Sequence, residues 1–133
     1  MALAIGALPW GQWSGKHSTP ISNEWPDFAD RGRTDKSNRL SYPYGVMINR
    51  NGYRFCDEGE DVGLYTYAKY GGEILKQPGS LAWQIFDQKT IHLLEPRYST
   101  SEPIKADTLE ELVELLEIDD KPQAIKTLHE YNE

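Results

Sequence analysis

Hydrophobic and polar residues follow no regular period over the first 40 residues of the chain and follow clear periods after them. Residues 1–40 show neither the 3.6-residue period of a helix nor the alternation of a strand, yet they carry three of the four tryptophans. An irregular stretch of this length is unusual in a compact domain unless it is functional or docks on a surface. We therefore interpret residues 1–40 as an irregular Trp-rich arm, ordered by a surface of this domain or of another part of the protein, and residues 41–133 as an α+β domain.

The periodic part of the chain opens with a predicted β-hairpin. The segment YGVMIN at 44–49 has the composition of a strand, and YRF at 53–55 is a candidate return strand. Between them, Asn51-Gly52 is typical of a type I′ turn, because both residues tolerate a positive φ angle.

Two further strands are predicted downstream. Residues 81–87, LAWQIFD, are almost continuously apolar, which indicates a strand that is covered on both faces. Residues 88–95 predict a short turn or helix, and IKAD at 104–107 predicts a short strand.

Three helices are predicted, over residues 62–77, 108–118 and 122–133. Gly71-Gly72 weakens the middle of the first helix. Thr108 and Glu111 have the spacing of a capping box at the start of the second, and Pro122 opens the third where proline costs no hydrogen bond. We expect an α+β fold with a small mixed sheet, a β-hairpin and several helices.

Composition excludes several classes of function. The formal net charge of −7 repels phosphate backbones, so we expect no nucleic-acid partner. No apolar run approaches the roughly 20 residues that a membrane helix needs, so we expect no membrane span. The single cysteine, Cys56, excludes internal disulfides and a multi-cysteine metal site, and a cytoplasmic location is the simplest expectation.

Charged residues crowd the segment after the predicted hairpin, which carries Arg54, Asp57, Glu58, Glu60 and Asp61. A calcium loop needs alternating oxygen ligands, a central glycine and a distal glutamate, and the spacing here does not match that pattern. Acidic residues also favour the positive end of a helix, and Arg54 can form an ion pair with them. We therefore expect a solvated helix start or a structural ion pair, and no metal site.

Motifs for autonomous catalysis are missing from the sequence. The neighbouring acids disfavour a thiolate at Cys56, and no G-x-S-x-G, P-loop or G-x-G-x-x-G motif occurs. His17, His92 and His129 share no ligand spacing. Taken alone, the chain lacks the parts of a self-sufficient enzyme.

Two segments carry a resemblance to a known family. YGVMINRNGYRFCDEGED at 44–61 and YTYAKYGGEILKQPGSLAWQIFD at 65–87 resemble, in order, the capping domain of the FAD-dependent succinate dehydrogenase/fumarate reductase flavoproteins. PWGQWSG at 9–15 and SYPYGVMIN at 41–49 are similar to the tricarballylate dehydrogenase-like subgroup. The resemblance extends over nearly the whole chain.

The resemblance implies a capping domain that closes over a flavin domain and encloses a di- or tricarboxylate substrate. The implied partners are the FAD-binding domain of the same polypeptide and the carboxylate. The implied cofactor is FAD, bound by that other domain, so we expect this chain alone to bind no FAD and to be inactive. The last helix reaches Glu133 without a C-cap pattern, which favours a piece of a longer protein.

The resemblance carries over to individual residues unevenly. His17 and Thr19 in HSTP match a substrate-binding His-Pro-Thr element except that Ser18 replaces the proline, and Arg39 matches a substrate-binding arginine. Arg54 and Glu58 match the hairpin motif and are possible rim residues. The arginine that donates the proton in fumarate reductases is absent from EDVGLYTY at 60–67, so the catalytic residues stay unknown.

A second hypothesis is open at this point. The chain also has the features of a non-enzymatic protein-interaction module, in which an aromatic-rich arm, with Trp10, Trp13, Trp25 and Phe28, docks on another protein.

Overall fold

The computed structural model describes residues 1–26, 31–32 and 34–133. Over these residues the protein is a small mixed α/β structure with three α-helices and one two-stranded antiparallel sheet. The strands are β1 (Val46–Asn49) and β2 (Ala82–Ile85), and the helices are α1 (Gly63–Leu75), α2 (Leu109–Leu115) and α3 (Lys121–Tyr131). Short 3₁₀ helices lie at Ala2–Ile5, Tyr42–Tyr44, Pro78–Ser80, Ile91–Leu93 and Pro96–Thr100.

The sheet joins two strands that are distant in sequence. Val46 lies opposite Ile85, and Asn49 lies opposite Ala82. The strands predicted in these two segments are confirmed, but the predicted mixed sheet is wrong, because the described residues form only this antiparallel pair. The strand predicted at 104–107 is also wrong. All four of its residues are exposed, so it lacks the half-buried surface that stabilises a strand.

The turn after β1 differs from the predicted type. Gly52 N donates to Asn49 O at 3.0 Å, so the central residues of the turn are Arg50 and Asn51. Of the residues in this turn only Gly52 has a positive φ, at +79°, whereas a type I′ turn needs two. The turn is therefore of the kind in which a left-handed glycine follows the two central residues, and the type I′ prediction is wrong.

The predicted return strand is reduced to a single bridge between Ile48 and Arg54. Asn49 N donates to Tyr53 O at 2.9 Å, and the Asn49 side-chain oxygen accepts the N–H of Tyr53 at 3.0 Å. The return strand therefore starts where it was predicted, but it pairs with β1 only through the Ile48–Arg54 bridge. After Arg54 the chain turns through the acidic segment at 57–61, which forms no strand.

Side-chain caps begin α2 and α3. Thr108 Oγ1 accepts the N–H of Glu111 at 3.1 Å, which confirms the capping role predicted for Thr108. Asp120 Oδ1 accepts the N–H of Gln123 at 3.0 Å, so α3 begins at Lys121, one residue earlier than predicted. Each such cap stabilises its helix by about 1 kcal/mol.

The core has two halves, one on each face of β1. On one face, Val46 and Ile48 pack with the buried residues of α2, α3 and their connection, which are Val113, Leu116, Ile118, Ala124 and Leu128. On the other face, Met47 packs with Tyr42 and Tyr70, and Phe55, Cys56, Tyr67 and Ile74 border this group. Because successive side chains of a strand point to opposite faces, one short strand organises both halves.

The N-terminal arm divides into an exposed part and a docked part. Residues 1–17 are exposed, with Trp10 at 88% and Trp13 at 68% of full exposure. Residues 20–22 instead run beside residues 37–39, with Arg39 N donating to Pro20 O at 2.9 Å and Ser22 N to Ser37 O at 2.8 Å. Phe28, one of the predicted docking aromatics, lies outside the described residues.

Substitution of Gly52 tests the packing of the turn against α3. A Cβ at Gly52 would lie 2.5 Å from Ala124 N and 2.8 Å from Asp120 O, and the positive φ adds strain to any side chain. We expect Gly52→Ala to lower the free energy of unfolding by more than about 2 kcal/mol, measured by urea denaturation. Gly59→Ala is the matched control, because a Cβ at Gly59 meets only Asp57 Oδ1 at 3.7 Å. Equal denaturation midpoints for the two variants would contradict this account of the turn.

Candidate functional site

His17 is held against α1 by a tyrosine. Its Nε2 lies 2.9 Å from the hydroxyl oxygen of Tyr67, and the two rings meet edge to face with centroids 4.9 Å apart. Tyr67 itself borders the Tyr42, Met47 and Tyr70 part of the core, which gives its ring a rigid support. His17 is exposed, so the imidazole is both positioned and accessible.

Gly71 allows the segment around His17 to approach α1 closely. A Cβ at Gly71 would overlap the Ser18 carbonyl group and would lie 2.6 Å from Thr19 N. Tyr67 and Gly71 are four residues apart in α1, so they lie on one face of the helix, one turn from each other. Gly71 was expected only to weaken the helix, whereas the structure shows that its missing side chain makes room for residues 18 and 19.

Arg39 lies in a different environment from His17. Arg39 is only 9% exposed, and its guanidinium carbon lies 5.1 Å from the ring centroid of Tyr98. Nη2 donates to Ser101 Oγ at 2.7 Å and to Thr100 Oγ1 at 3.2 Å. Nη1 faces four backbone carbonyls at 3.0 to 3.3 Å, those of Lys36, Ser37, Asn38 and Arg97.

Through these contacts the Arg39 guanidinium stabilises the fold. Burial lowers the pKa of Arg39, and the carbonyl dipoles around Nη1 compensate for the lost hydration. The residue ties the 36–39 segment, and through it the docked part of the arm, to the 3₁₀ helix at Pro96–Thr100. The structure thus engages Arg39 with its own chain and leaves few donors for a substrate carboxylate.

The buried Glu58 forms an ion pair with the partly exposed Arg54 beside β1. Glu58 is 2% exposed, and its Oε2 accepts Arg54 Nη2 at 2.6 Å and Nε at 2.8 Å. The carboxylate raises the pKa of Arg54. The same guanidinium lies 5.3 Å from the ring centroid of Tyr131 at the end of α3. Glu58 therefore connects the acidic segment with the last helix through one arginine.

The second oxygen of Glu58 completes the hydrogen bonding of β1. Oε1 accepts the N–H of Met47 at 2.6 Å, on the strand edge where Asn49 N bonds Tyr53 O. In a longer hairpin a carbonyl of the return strand would accept this N–H. The carboxylate takes that place, because the return strand ends at Arg54. The sequence left a solvated helix start and a structural ion pair as alternatives, and the structure shows the ion pair.

Cys56 lies in the same segment and is half-buried. Burial, followed by the Glu58 carboxylate, raises the pKa of its thiol from 9.0 to about 12. The thiol is therefore protonated at neutral pH and is a poor nucleophile, as the neighbouring acids predicted.

An open groove of about 760 Å³ lies beside α2 in the described part of the chain. Its lining carries four carboxylates and one lysine, Lys105, so its charge is unfavourable for the pyrophosphate of FAD; the acids are Asp107, Glu110, Glu111 and Glu114. Over the same part of the chain, no three histidine, cysteine or acidic side chains are grouped closely enough to hold a metal ion. No helix in the described ranges has both the length and the apolar character needed to cross a membrane.

The predicted site residues therefore lie in three places. His17 and the half-buried Thr19 lie along α1, Arg39 lies under Tyr98, and Arg54 and Glu58 lie beside β1. Within the described part of the chain, no hydrogen bond or ion pair joins the side chains of these three groups. Sequence reasoning missed Tyr67 as the partner of His17. No local pattern indicates this contact, because the two residues are 50 positions apart.

Comparison of the chain with protein-family models, with curated proteins and with solved structures finds no match.

Removal of the Glu58 carboxylate tests its role in β1. Glu58→Ala leaves the Met47 N–H buried without an acceptor and deprives Arg54 of its partner. We expect the free energy of unfolding to fall by roughly 3 kcal/mol, measured by urea denaturation. Glu130→Ala serves as the control, because Glu130 is an exposed residue of α3 with only a 3.7 Å contact to Lys126. A small effect, equal to that of the control, would show that Glu58 does not support β1.

The raised pKa of Cys56 predicts slow alkylation of the folded protein. At mildly alkaline pH the thiolate fraction in the native state is far lower than that of an unfolded thiol. We expect iodoacetamide to modify native Cys56 at least about 100-fold more slowly than the same protein in urea, as followed by mass spectrometry. Since folding raises this pKa, stability should also decline as the pH rises from about 9.0 towards 12. Equal alkylation rates in the two states would refute the assignment.

Proposed function

We propose that the chain is the capping domain of an FAD-dependent oxidoreductase that acts on di- or tricarboxylates, in the manner of tricarballylate dehydrogenase and fumarate reductase. The resemblance of residues 44–61 and 65–87 supplies this class. The structural observation that supports it is the accessible His17, which Tyr67 fixes at one ring nitrogen. An imidazole held in this way is suited to bind a carboxylate at its other nitrogen.

In the proposed enzyme the FAD belongs to a separate FAD-binding domain of the same polypeptide. When bound, the flavin supplies the hydride chemistry. This chain contributes groups that bind and orient the substrate and exclude water from it. His17 is the proposed carboxylate ligand, with Thr19 beside it, while Arg39, Arg54 and Glu58 maintain the structure around them.

Exposed apolar residues favour a partner domain for this chain. Trp10 and Trp13 are 88% and 68% exposed, and Leu64 and Tyr65 in the first turn of α1 are each 78% exposed. We propose that the FAD-binding domain covers these residues when the cap closes. The first turn of α1 is also where the resemblance would place the missing proton-donating arginine, so the proton in this enzyme comes from another group.

The function can be tested on the polypeptide that joins this chain to its FAD-binding domain. The protein is loaded with FAD, and flavin absorbance is followed without oxygen while succinate, tricarballylate or a non-carboxylate alcohol is added. Bleaching by a carboxylate and none by the alcohol is the expected result. A flavin that no carboxylate bleaches, and whose reduced form no unsaturated carboxylate reoxidises, would refute the proposal.

His17→Ala tests the proposed substrate ligand in the same protein. Loss of one hydrogen bond to a charged group should raise KM for the carboxylate by about 10-fold or more, with flavin content unchanged. His129→Ala is the matched control, because His129 is an exposed histidine on α3 whose partner is Glu110 at 3.1 Å. If the two variants have the same KM as the wild type, His17 is not in the site.

A second candidate function rests on the same exposed aromatics. A protein-interaction module would also present Trp10 and Trp13 to a partner, and it would need no role for His17. The two functions differ in one measurement, because only the oxidoreductase depends on His17 for carboxylate turnover.

A further inference from the structure

The environment of His17 has a feature that the proposed function does not by itself require. The imidazole is linked to the fold through one nitrogen only. Nε2 lies 2.9 Å from the Tyr67 hydroxyl oxygen, and Nδ1 has no hydrogen-bond partner among the residues that the structure describes. The ring is therefore presented to solvent with a defined direction and one free nitrogen.

The position of the ring depends on α1 at two points. Tyr67 contacts the imidazole, and one turn later Gly71 contacts the backbone of Ser18 and Thr19. Two contacts on adjacent turns fix both the location of the 17–19 segment and its direction along the helix. A single contact would leave the segment free to rotate about it.

We propose that Tyr67 and Gly71 are positioning residues that make His17 a donor for one carboxylate oxygen of the substrate. The inference rests on the proposed function for the identity of the ligand. Its chemistry follows from the hydrogen bond: when the Tyr67 hydroxyl donates to Nε2, the neutral imidazole carries its proton on Nδ1. That Nδ1–H points away from α1 and can donate to a carboxylate oxygen without a change in the charge of the imidazole.

The remaining groups near His17 are consistent with this role. Lys69 on α1 pairs with Glu60, which precedes the helix, at 2.6 Å, so these two charges are engaged with each other. Tyr65, two residues before Tyr67, is exposed and lies on another side of the helix. Tyr67 is thus the tyrosine that can set the proton position of His17.

Nitrogen NMR of the His17 ring in this chain tests the arrangement without any cofactor. At mildly alkaline pH, where a free imidazole is neutral, we expect the wild type to hold its proton on Nδ1. Tyr67→Phe keeps the ring packing but removes the hydroxyl, and it should abolish this preference. Tyr65→Phe is the matched control and should leave it unchanged. A wild-type ring protonated on Nε2, or a Tyr67→Phe ring identical to the wild type, would overturn the proposal.

Gly71→Ala tests the second contact, with Gly72→Ala as its matched control. A Cβ at Gly71 overlaps Ser18, whereas a Cβ at the adjacent Gly72 meets no atom within 4 Å. In the flavin-loaded protein we expect Gly71→Ala to raise KM for the carboxylate by about 10-fold with kcat nearly unchanged, and Gly72→Ala to leave both at wild-type values. The proton cross-peaks between His17 and Tyr67 should be lost only in Gly71→Ala. Equal KM values for the two glycine variants would overturn the positioning role.

The two lines of measurement separate this inference from the proposed function. A wild-type flavin that no carboxylate bleaches refutes the proposed function and with it the carboxylate ligand. Carboxylate turnover that Tyr67→Phe and Gly71→Ala leave unchanged refutes the positioning role alone, and the proposed function then stands.

Discussion

The hydrogen bond from Met47 N to the Glu58 carboxylate is the interaction on which this fold most depends. β1 lies between both halves of the core and has a strand partner on only one full edge. A buried N–H without an acceptor costs about 1 to 3 kcal/mol, which is a large share of the stability of a small domain. One acidic side chain therefore allows a two-stranded sheet to occupy the centre of the molecule, where a third strand would otherwise be needed.

Arginine side chains join several segments of this small domain that are distant in sequence. Hydrophobic residues make up 38% of the chain, and the connections between elements are long. Arg39 joins the docked part of the arm to the 3₁₀ helix at Pro96–Thr100, and Arg54 joins the acidic segment to Tyr131. Arg50 similarly reaches Asp119 at 3.2 Å, before α3. Because Arg39 and Arg54 are engaged by the fold, His17 is the exposed member of the predicted substrate-binding residues.

The sequence predicts local features of this protein better than its long-range contacts. Thr108 as a helix cap and the strand at Ala82–Ile85 follow from residue type and spacing, because their causes lie within a few residues. The pairing of β1 with β2 and the close approach of Ser18 to Gly71 depend on segments more than 30 residues apart, which no local pattern encodes. The form of the turn at Gly52 was missed for a related reason. The Asn49 side chain, outside the two residues considered, supplies the acceptor that fixes it.

The contact between Ser18 and Gly71 also has a consequence for the order of folding. The two residues are separated by more than 50 positions. The close approach of Ser18 to Gly71 requires that α1 has already formed. Closing so long a loop costs entropy that few contacts repay, since residues 1–17 are exposed. We therefore expect the contact between Ser18 and Gly71 to form late in folding, after the core has assembled. During synthesis residues 17–19 emerge before α1, so their contacts with Tyr67 and Gly71 must wait until that helix has left the ribosome.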